Sequence, residues 1–408
     1  MQKPIFTDEF FAGMDSSILD VNEARMLPPE CYADRDFFEF EKDAIFAHEW
    51  LCVGRAAWIP NQGDYFTTSH ADEPIVVVRT EDGSIKAMSS VCQHRAMLVA
   101  EGHGNTRRFL CPYHHWSYGL DGALLGAPAM ERACNFKKED VRLPAFKVEI
   151  WLGFIFVNFD LDAKPLAPRL TAVTEAIKNY DLENAEGEWQ TESLRLPWNW
   201  KVMFENNNDG YHANRLHHGP LHDHVPSRLA TFPELPEDTA GYYRYNGTTH
   251  PDASFNPTLK ALLPVFPNLT DEDRNRMVFA NVPPTLSLII RCDMIAYVIL
   301  RADGVGDVIS DRGWLVAPGA MSQPLFQEKL QSNLTVSAAI ATQDMHVDTL
   351  VQVGLRSRYA FRGRYSWQEQ SQREFNNWLV KRYRDEWQQR RAGAYVPAPA
   401  AAPARKSA

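Results

Sequence analysis

The stretch CQHRAMLVAEGHGNTRRFLCPYHHWSYGLDG, residues 92–122, brings cysteine and histidine together twice. The two pairs are Cys92/His94 and Cys111/His114, with 16 residues between them. Two thiolates and two imidazoles suit a [2Fe-2S] cluster in which the cysteines bind one iron and the histidines the other. Zinc accepts the same donors in a tetrahedral structural site. Zinc fingers usually pair like with like, however, whereas each pair here is mixed, so the spacing favours the cluster.

The residues around these pairs resemble the Rieske domain of ring-hydroxylating oxygenase large subunits. The resemblance rests on Cys92-Gln93-His94-Arg95, Cys111-Pro112-Tyr113-His114-His115-Trp116 and Leu120-Asp121-Gly122. The family usually has glycine where this chain has Ala96 and His115. Because both residues carry a Cβ, we expect a negative φ at each position. The Cys-x2-His spacing favours His114 as the ligand over its neighbour His115.

A second run, WKVMFENNNDGYHANRLHHGP at residues 200–220, matches the mononuclear iron motif of the same family. The matching residues are Glu205, Asp209, His212 and His217. We predict a helix over about 200–218 that ends at Gly219-Pro220. In a regular helix His212 and His217 would point about 140° apart. They can share a metal only through a π-type widening or an unwound last turn; the alternative is two unrelated surface or core histidines.

Non-heme iron oxygenases complete such a site with one carboxylate. The resemblance implies that this carboxylate lies far downstream on a helix, in the segment Thr342–Asp348. We assign Asp344 as the ligand. Asp348, one helical turn later, is the main alternative, and His346 is a weaker one. The nearby histidines His218, His222 and His224 are expected to surround the site without binding the metal.

Catalytic roles are assigned to Asp209, Glu205 and Asn206, and Asn206 to Asn208 are expected to hydrogen-bond near the site. Asp209 precedes His212 by three residues and could orient it, because metal-bound histidines usually donate their other N–H to a carboxylate or carbonyl. The resemblance implies more: Asp209 would connect His212 with His114 of a neighbouring copy. Such a head-to-tail contact closes only as a ring, of at least three copies.

Composition excludes several other classes of protein. The formal charge of −10 argues against a nucleic-acid surface. Six scattered cysteines argue against a disulfide scaffold and for a reducing compartment. The N-terminus lacks a signal-peptide pattern, and no run reaches about 18 apolar residues. We therefore expect a cytoplasmic protein without a membrane span.

The fold class expected is α+β, with a small all-β Rieske domain and a larger catalytic domain built on an antiparallel sheet. The resemblance implies a helix-grip, START-like form for the larger domain. The predicted segments are a helical N-terminus at 1–45, the Rieske domain at 46–165, the catalytic domain at 166–390 and a disordered tail at 391–408. Within them we predict strands at 74–79, 153–158, 286–290 and 295–300, a turn at 302–304 and a helix at about 324–354. The substrate pocket is expected between 215–265 and 280–300.

By resemblance, the chain is the oxygenase component of a multicomponent Rieske oxygenase that mono- or dioxygenates, or demethylates, a small aromatic compound. Its cofactors would be a [2Fe-2S] cluster and mononuclear Fe(II). No G-x-G-x-x-G follows a strand, so NAD(P)H would act only through a partner reductase or ferredoxin. A homotrimer is favoured, with an added β subunit left open. The alternatives are a zinc-dependent hydrolase using His212, His217 and Asp344, and a Rieske electron-transfer protein whose second domain docks a partner.

Overall fold

The computed structural model describes residues 5–189, 192–219 and 221–393. It divides into two compact units, one made of the chain up to Ala44 with Leu166–Gly393, the other of Ile45–Pro165. Of the disordered tail predicted at 391–408, Arg391 still belongs to the last helix, and residues 394–408 lie outside the described residues. Within the described part of the chain, no helix has the length and apolar character needed to cross a bilayer.

The Ile45–Pro165 unit is built from antiparallel strands. They are β1 Leu51–Arg55, β2 Asp64–His70, β3 Glu73–Arg79, β4 Ile85–Ser89, β5 His103–Asn105, β6 Phe109–Leu110, β7 Ser117–Tyr118, β8 Leu124–Gly126, β9 Ala145–Trp151 and β10 Phe154–Asn158. One sheet has the order β1-β10-β9-β4-β3-β2-β5, and a small sheet has the order β6-β7-β8. The predicted strands at 74–79 and 153–158 are confirmed as β3 and β10. Both cysteine/histidine pairs lie on loops of this unit.

The larger unit is centred on an antiparallel sheet of the order β11-β17-β16-β15-β14-β13-β12. Its strands are β11 Glu192–Leu196, β12 Ala230–Thr231, β13 Tyr242–Gly247, β14 Arg276–Val282, β15 Leu286–Ile290, β16 Ile295–Gly304 and β17 Asp307–Leu315. The predicted turn at 302–304 is wrong, because Ala302 and Gly304 still pair with Val308 and Asp307. A bulge between Ala302 and Gly304 lets β16 continue, so the chain reverses only at 305–306.

Helices pack around this sheet, and further helices form the N-terminal segment. Their bounds are α1 Asp8–Gly13, α2 Glu30–Ala33, α3 Arg35–Glu41, α4 Thr171–Ile177, α5 Trp200–Asn208, α6 Asp271–Arg274, α7 Phe326–Leu355 and α8 Gln370–Arg391. Asp34 caps α3 by accepting a hydrogen bond from the Phe37 amide at 3.0 Å. The long helix predicted at 324–354 is confirmed as α7.

A fully buried ion pair joins the N-terminal segment to α5. Glu41 Oε1 lies 2.6 Å from Lys201 Nζ, and neither side chain is exposed. The same oxygen accepts a hydrogen bond from the Tyr383 hydroxyl at 2.5 Å, and Oε2 accepts one from Trp200 Nε1 at 3.3 Å. Because a buried carboxylate is stable only with such partners, this pair anchors the first turn of α5 to the N-terminal segment.

Candidate metal centres

The two cysteine/histidine loops share one backbone pattern. The Cys92 amide donates to the carbonyl of Met97 at 2.8 Å, and the Cys92 carbonyl accepts from the Ala96 amide at 3.0 Å. Cys111 makes the same two bonds with Trp116, at 2.8 Å, and His115, at 3.0 Å. Each loop therefore turns back on its cysteine five residues later and presents the histidine at its tip.

The expectation of a negative φ at Ala96 and His115 is wrong. Their φ angles are 55° and 58°, in the left-handed region. Each residue is the fourth after its cysteine, where the tight turn requires this conformation. A residue with a Cβ adopts it at a cost of about 1 kcal/mol, which explains the usual preference for glycine at such positions.

The four candidate cluster ligands differ in burial. Cys92 and Cys111 are buried, His94 is exposed and His114 is partly buried. The rings of His94 and His114 lie 4.5 Å apart between centroids, and the His94 ring stacks on Trp116 at 4.9 Å. The thiols therefore lie in the interior and the imidazoles towards the surface. This arrangement suits a cluster with one buried iron and one near solvent.

Tyr118 adds a hydrogen bond to this site. Its hydroxyl oxygen accepts the Gln93 amide at 3.1 Å and lies 3.3 Å from Cys92 Sγ. A cysteine that binds iron is a thiolate without a proton, so in the loaded site the Tyr118 hydroxyl would be the donor to this sulfur. Hydrogen bonds to ligating sulfur are among the features that set the reduction potential of such clusters.

The mononuclear site begins where α5 ends. The predicted helix to 218 is wrong: α5 stops at Asn208, and a short 3₁₀ turn follows at His212–Asn214. Asp209 Oδ1 accepts the amides of Tyr211 at 2.6 Å and His212 at 3.1 Å. Such a side-chain bond to the backbone competes with helical bonding and ends the helix. His212 and His217 can therefore point to one place because the α-helix ends before them. No π-type widening between them is involved.

Three potential ligand atoms meet beyond this turn. His212 Nε2 lies 3.1 Å from His217 Nε2, and Asp344 Oδ1 lies 2.9 Å from His217 Nε2 and 3.5 Å from His212 Nε2. These atoms all lie within 4.8 Å of one another. Ligands about 2.1 Å from an octahedral ion stand about 3 Å apart on one face. The triangle therefore fits one metal ion, with Asp344 delivered by α7.

Asp348 lies outside this triangle but close to it. Asn206 Nδ2 bridges the two acids, 3.3 Å from Asp344 Oδ1 and 3.4 Å from Asp348 Oδ1. Burial, with the charge of Asp344, raises the pKa of Asp348 to about 8. Asp348 is therefore mostly protonated at neutral pH, which makes it a poorer metal ligand than Asp344. His346, the weaker alternative, is exposed.

Asp209 and Glu205 occupy different positions near the triangle. Asp209 Oδ2 lies 3.3 Å from His212 Nδ1, the ring nitrogen that points away from the other two ligand atoms. Glu205 accepts a hydrogen bond from the Tyr32 hydroxyl. Burial raises the pKa of Glu205 to about 7, despite the opposing effects of Tyr32 and Lys201. Asp209 therefore lies beside His212, where it can orient the ring. Glu205 is instead hydrogen-bonded to Tyr32.

The other residues singled out in the sequence surround the site without joining the triangle. Asn207 donates to Asn281 Oδ1 at 3.0 Å and Ser287 Oγ at 2.7 Å, which ties α5 to the sheet. The rings of His218 and His222 lie 6.5 Å apart, and His224 is buried. Sequence reasoning missed Gln343, whose Oε1 lies 2.8 Å from His217 Nδ1. Its position directly before Asp344 was the available signal.

Comparison with known proteins extends these observations. Residues 49–147 match the Rieske [2Fe-2S] domain family, and residues 182–385 match the catalytic domain of the ring hydroxylating alpha subunit family. The chain is 34% identical over 192 residues to the glycine betaine monooxygenase oxygenase subunit of Pseudomonas aeruginosa, covering 47% of this chain and 44% of that protein. It is 35% identical over 204 residues to the benzene 1,2-dioxygenase alpha subunit of Pseudomonas putida, covering 48% and 45%. The chain spans about half the length of the curated relatives it matches.

Solved structures agree on the fold. Naphthalene 1,2-dioxygenase from Rhodococcus sp. superposes with a TM-score of 0.79 at 20% identity, covering 93% of this chain and 99% of that one. A quaternary ammonium Rieske monooxygenase gives 0.75 at 23% identity, covering 92% and 98%. The expected α+β class, with a small β domain and a larger domain on an antiparallel sheet, is confirmed. Because one chain matches both the Rieske domain family and the alpha-subunit catalytic domain family, this protein belongs to the family of Rieske oxygenase alpha subunits.

Proposed function

We propose that this chain is the oxygenase component of a multicomponent Rieske oxygenase, which uses O2 and partner-supplied electrons to oxidise a small organic substrate. The observation that carries the proposal is the triangle of His212, His217 and Asp344 on a chain that also bears the cluster loops. Two imidazoles and one carboxylate on one face form the donor set of non-heme Fe(II) oxygenases and leave positions open.

The proposed ligands fit both cofactors by their chemistry. His212, His217 and Asp344 would hold the mononuclear iron, and Cys92, His94, Cys111 and His114 would hold the [2Fe-2S] cluster. When bound, the cluster supplies single electrons and the mononuclear iron supplies reactivity towards O2. The chain itself positions the ligands. Gln343 orients the His217 ring, and Asn206 holds the carboxylate of Asp344.

A partner protein is part of the proposal. NAD(P)H gives up a hydride, whereas a Rieske cluster takes one electron at a time, so a flavin or iron-sulfur reductase, with or without a ferredoxin, has to stand between them. Such a reductase draws on the NAD(P)H of the cytoplasm, where we place this protein.

We also retain 46–165 as the Rieske domain and 166–390 as the catalytic domain.

We further propose that Asp209 connects the two centres across a subunit interface. One oxygen of Asp209 is fixed by backbone amides, which leaves the other beside His212 and available to His114 of the partner subunit. Exposed aromatic side chains support an interface near both centres: Tyr211 is 57% exposed and Tyr113 is 54% exposed. Aromatic side chains are enriched in protein–protein interfaces. A head-to-tail trimer satisfies this geometry.

The substrate is proposed to lie against the apolar cluster beside the triangle. This cluster includes Ala213, next to His212, and Ile340, one turn before Asp344, together with Leu221, Phe255 and Phe279. An apolar wall suits the ring of an aromatic compound. The curated relatives act on carnitine, glycine betaine or benzene by their names, as monooxygenases or a dioxygenase. The iron ligands are compatible with either reaction, so the proposal covers both, including demethylation.

The two alternatives are less well supported. A zinc hydrolase leaves the Rieske profile at 49–147 without a role. A pure electron-transfer protein leaves the assembled His212/His217/Asp344 triangle without a role. Neither alternative explains both features on one chain.

The experiment is oxygen uptake by the iron-loaded protein with a surrogate reductase and NADH, screened over aromatic acids and methylated amines. The proposal expects substrate-dependent uptake that disappears in His217→Ala, a variant that keeps the cluster spectrum. Uptake that is equal in the two proteins would contradict it, as would hydrolysis of esters without oxygen.

A further inference from the structure

Arg291 is a buried arginine with unused hydrogen-bonding capacity. It lies in the turn between β15 and β16 and is 0% exposed. Its Nη1 donates to Ser337 Oγ at 3.3 Å, and its guanidinium lies 4.4 Å from the centre of the Phe255 ring. Its Nε and Nη2 are buried and have no hydrogen-bond partner among the residues the structure describes. Two donors therefore remain unsatisfied on a fully buried cation.

The nearby acid Asp293 attracts this charge, but its oxygens accept hydrogen bonds from other groups. Its Oδ1 accepts a hydrogen bond from Ser254 at 2.6 Å, and its Oδ2 accepts bonds from the Leu262 amide and Asn333 Nδ2, both at 3.2 Å. Burial lowers the pKa of Arg291 to about 10, so the side chain stays cationic at neutral pH. A buried charge whose counterion is hydrogen-bonded to other groups is only partly compensated, which is unfavourable.

Two other arginines of this unit, Arg244 and Arg301, have more hydrogen-bond or ion-pair partners than Arg291. Arg244 is also buried, but its Nη1 bonds Asn246 at 3.2 Å and its Nη2 bonds the Asn207 carbonyl at 3.5 Å. Arg301 forms an ion pair with Asp311 at 2.7 Å. Arg244 thus has partners for both Nη atoms and lacks one only at Nε, and Arg301 has a carboxylate. The Arg291 side chain, among the described residues, has one hydroxyl partner and two nitrogens without one.

His224 provides a second, independent observation beside the same phenylalanine, Phe255. It is buried, and neither ring nitrogen has a hydrogen-bond partner in the described part of the chain. Its ring lies 6.0 Å from the Phe255 ring, which Arg291 also contacts. Burial, together with the charges of His250 and Arg291, lowers the pKa of His224 to about 4. It is therefore neutral at pH 7 and offers one N–H donor.

Both residues lie beside Phe255 of the apolar cluster, and the position of Arg291 relative to the metal triangle follows from its contact with α7. Ser337, which contacts Arg291, precedes Asp344 by seven residues on α7. Seven residues make two turns, so the two positions share one helix face about 10 Å apart. Ile340 lies between them and belongs to the same apolar cluster as Phe255. A cationic end, an apolar middle and a metal end are thus arranged along one side of α7.

We propose that Arg291 and His224 bind the carboxylate of an anionic substrate whose other end lies at His212, His217 and Asp344. A carboxylate would satisfy Nε and Nη2 of Arg291 in the side-on, bidentate geometry that guanidinium groups favour, and would accept the N–H of His224. The apolar body of the substrate would lie on the cluster between. This inference rests on the proposed oxygenase function and names the substrate class for that site.

The test is binding by calorimetry to the iron-loaded protein, using 4-methoxybenzoate and its neutral analogue 4-methoxybenzamide. The wild type should bind the carboxylate about 10–100-fold more tightly than the amide, the range for a charge-assisted pair. Arg291→Met should remove this preference, Arg291→Lys should keep part of it, and the exposed-site control Lys260→Gln should leave it unchanged. Equal binding of acid and amide by the wild type overturns the proposal.

A second measurement separates binding from a structural role. Removing a buried charge with two unpartnered nitrogens should leave the melting temperature of ligand-free Arg291→Met equal to or above that of the wild type. A large decrease would make Arg291 structural and overturn the proposal. Carboxylate binding without oxygen uptake on any substrate would instead reject the oxygenase function and leave the anion site standing. Oxygen uptake with neutral substrates, without a preference for carboxylates in binding, would support the oxygenase function and overturn the anion site.

Discussion

Nδ1 of His217 lies 2.8 Å from Oε1 of Gln343. An amide oxygen can only accept, so Nδ1 carries the proton and Nε2 keeps its lone pair for a metal. Asp344, the next residue on α7, places its Oδ1 2.9 Å from that Nε2. Two consecutive residues of one helix therefore define both the tautomer and the ligand environment of His217.

Gln343→Leu should weaken Fe(II) binding at the mononuclear site about 10–100-fold, the usual effect of losing a partner that orients a ligating histidine. The measurement is iron retained after dialysis against increasing chelator. Thr342→Ala, at the exposed preceding position, is the matched control. Unchanged iron retention in Gln343→Leu would show that His217 needs no such orientation.

The two acids of α7 should respond differently to the same change. Asp344→Asn should lose the mononuclear iron, because it removes a charged ligand from the triangle. Asp348→Asn should retain it, since an amide replaces a side chain that is already mostly neutral, its pKa being raised to about 8 by burial and by Asp344. Iron analysis of both variants decides between them. Loss of iron from Asp348→Asn alone would make Asp348 the ligand.

Asp209→Asn should keep both metal centres and lower turnover at least about 10–100-fold. The amide can still accept the amides of Tyr211 and His212, so the end of α5 should be preserved. Single-turnover oxidation of the reduced cluster measures the effect directly. A wild-type rate in fully metal-loaded Asp209→Asn would reject the proposed bridge to His114 of the partner subunit.

Tyr118→Phe should lower the reduction potential of the cluster by some tens of millivolts. The hydroxyl lies 3.3 Å from Cys92 Sγ, and a hydrogen bond to sulfur stabilises the more electron-rich, reduced state. A net contribution of about 1 kcal/mol corresponds to roughly 40 mV for one electron. Protein-film voltammetry gives the value, with Tyr113→Phe as a control at an exposed ring. A rise in potential would contradict this assignment.

Lys201→Met should destabilise the fold by about 3–5 kcal/mol, because it leaves the buried carboxylate of Glu41 without its cation. Urea unfolding followed by tryptophan fluorescence measures the change. Adding Glu41→Gln to this variant should recover part of the loss, since no buried charge then remains. If the double variant is less stable than either single one, the ion pair does not act through charge compensation.

Much of the fold could be predicted from the sequence because its signals are local. The apolar runs of β3, β10 and β15 and the length of α7 can be recognised without tertiary information. The ends of elements depend on side-chain contacts that spacing does not reveal. α5 ends ten residues earlier than predicted because the Asp209 side chain bonds the backbone amides that follow it. β16 continues through Gly304 because a bulge at Asp303 takes up one residue.

The candidate sites show the same division. Residue types and spacing, read with the family resemblance, identified the three residues that the structure brings together as a triangle. Spacing could not show the left-handed backbone at Ala96 and His115. It arises because two backbone hydrogen bonds to the cysteine close each loop tightly. Nor could spacing assign a role to Arg291 or His224, since their significance lies in the hydrogen-bond partners that they lack among the described residues.

Metal and sulfide analysis of the anaerobically purified protein, with EPR after reduction, tests the two-centre assignment most directly. The account predicts about three irons and two acid-labile sulfides per chain, with a Rieske-type signal that depends on His94 and His114. Asp344→Asn should then lose about one iron and no sulfide. A colourless protein that contains zinc and no sulfide would contradict it.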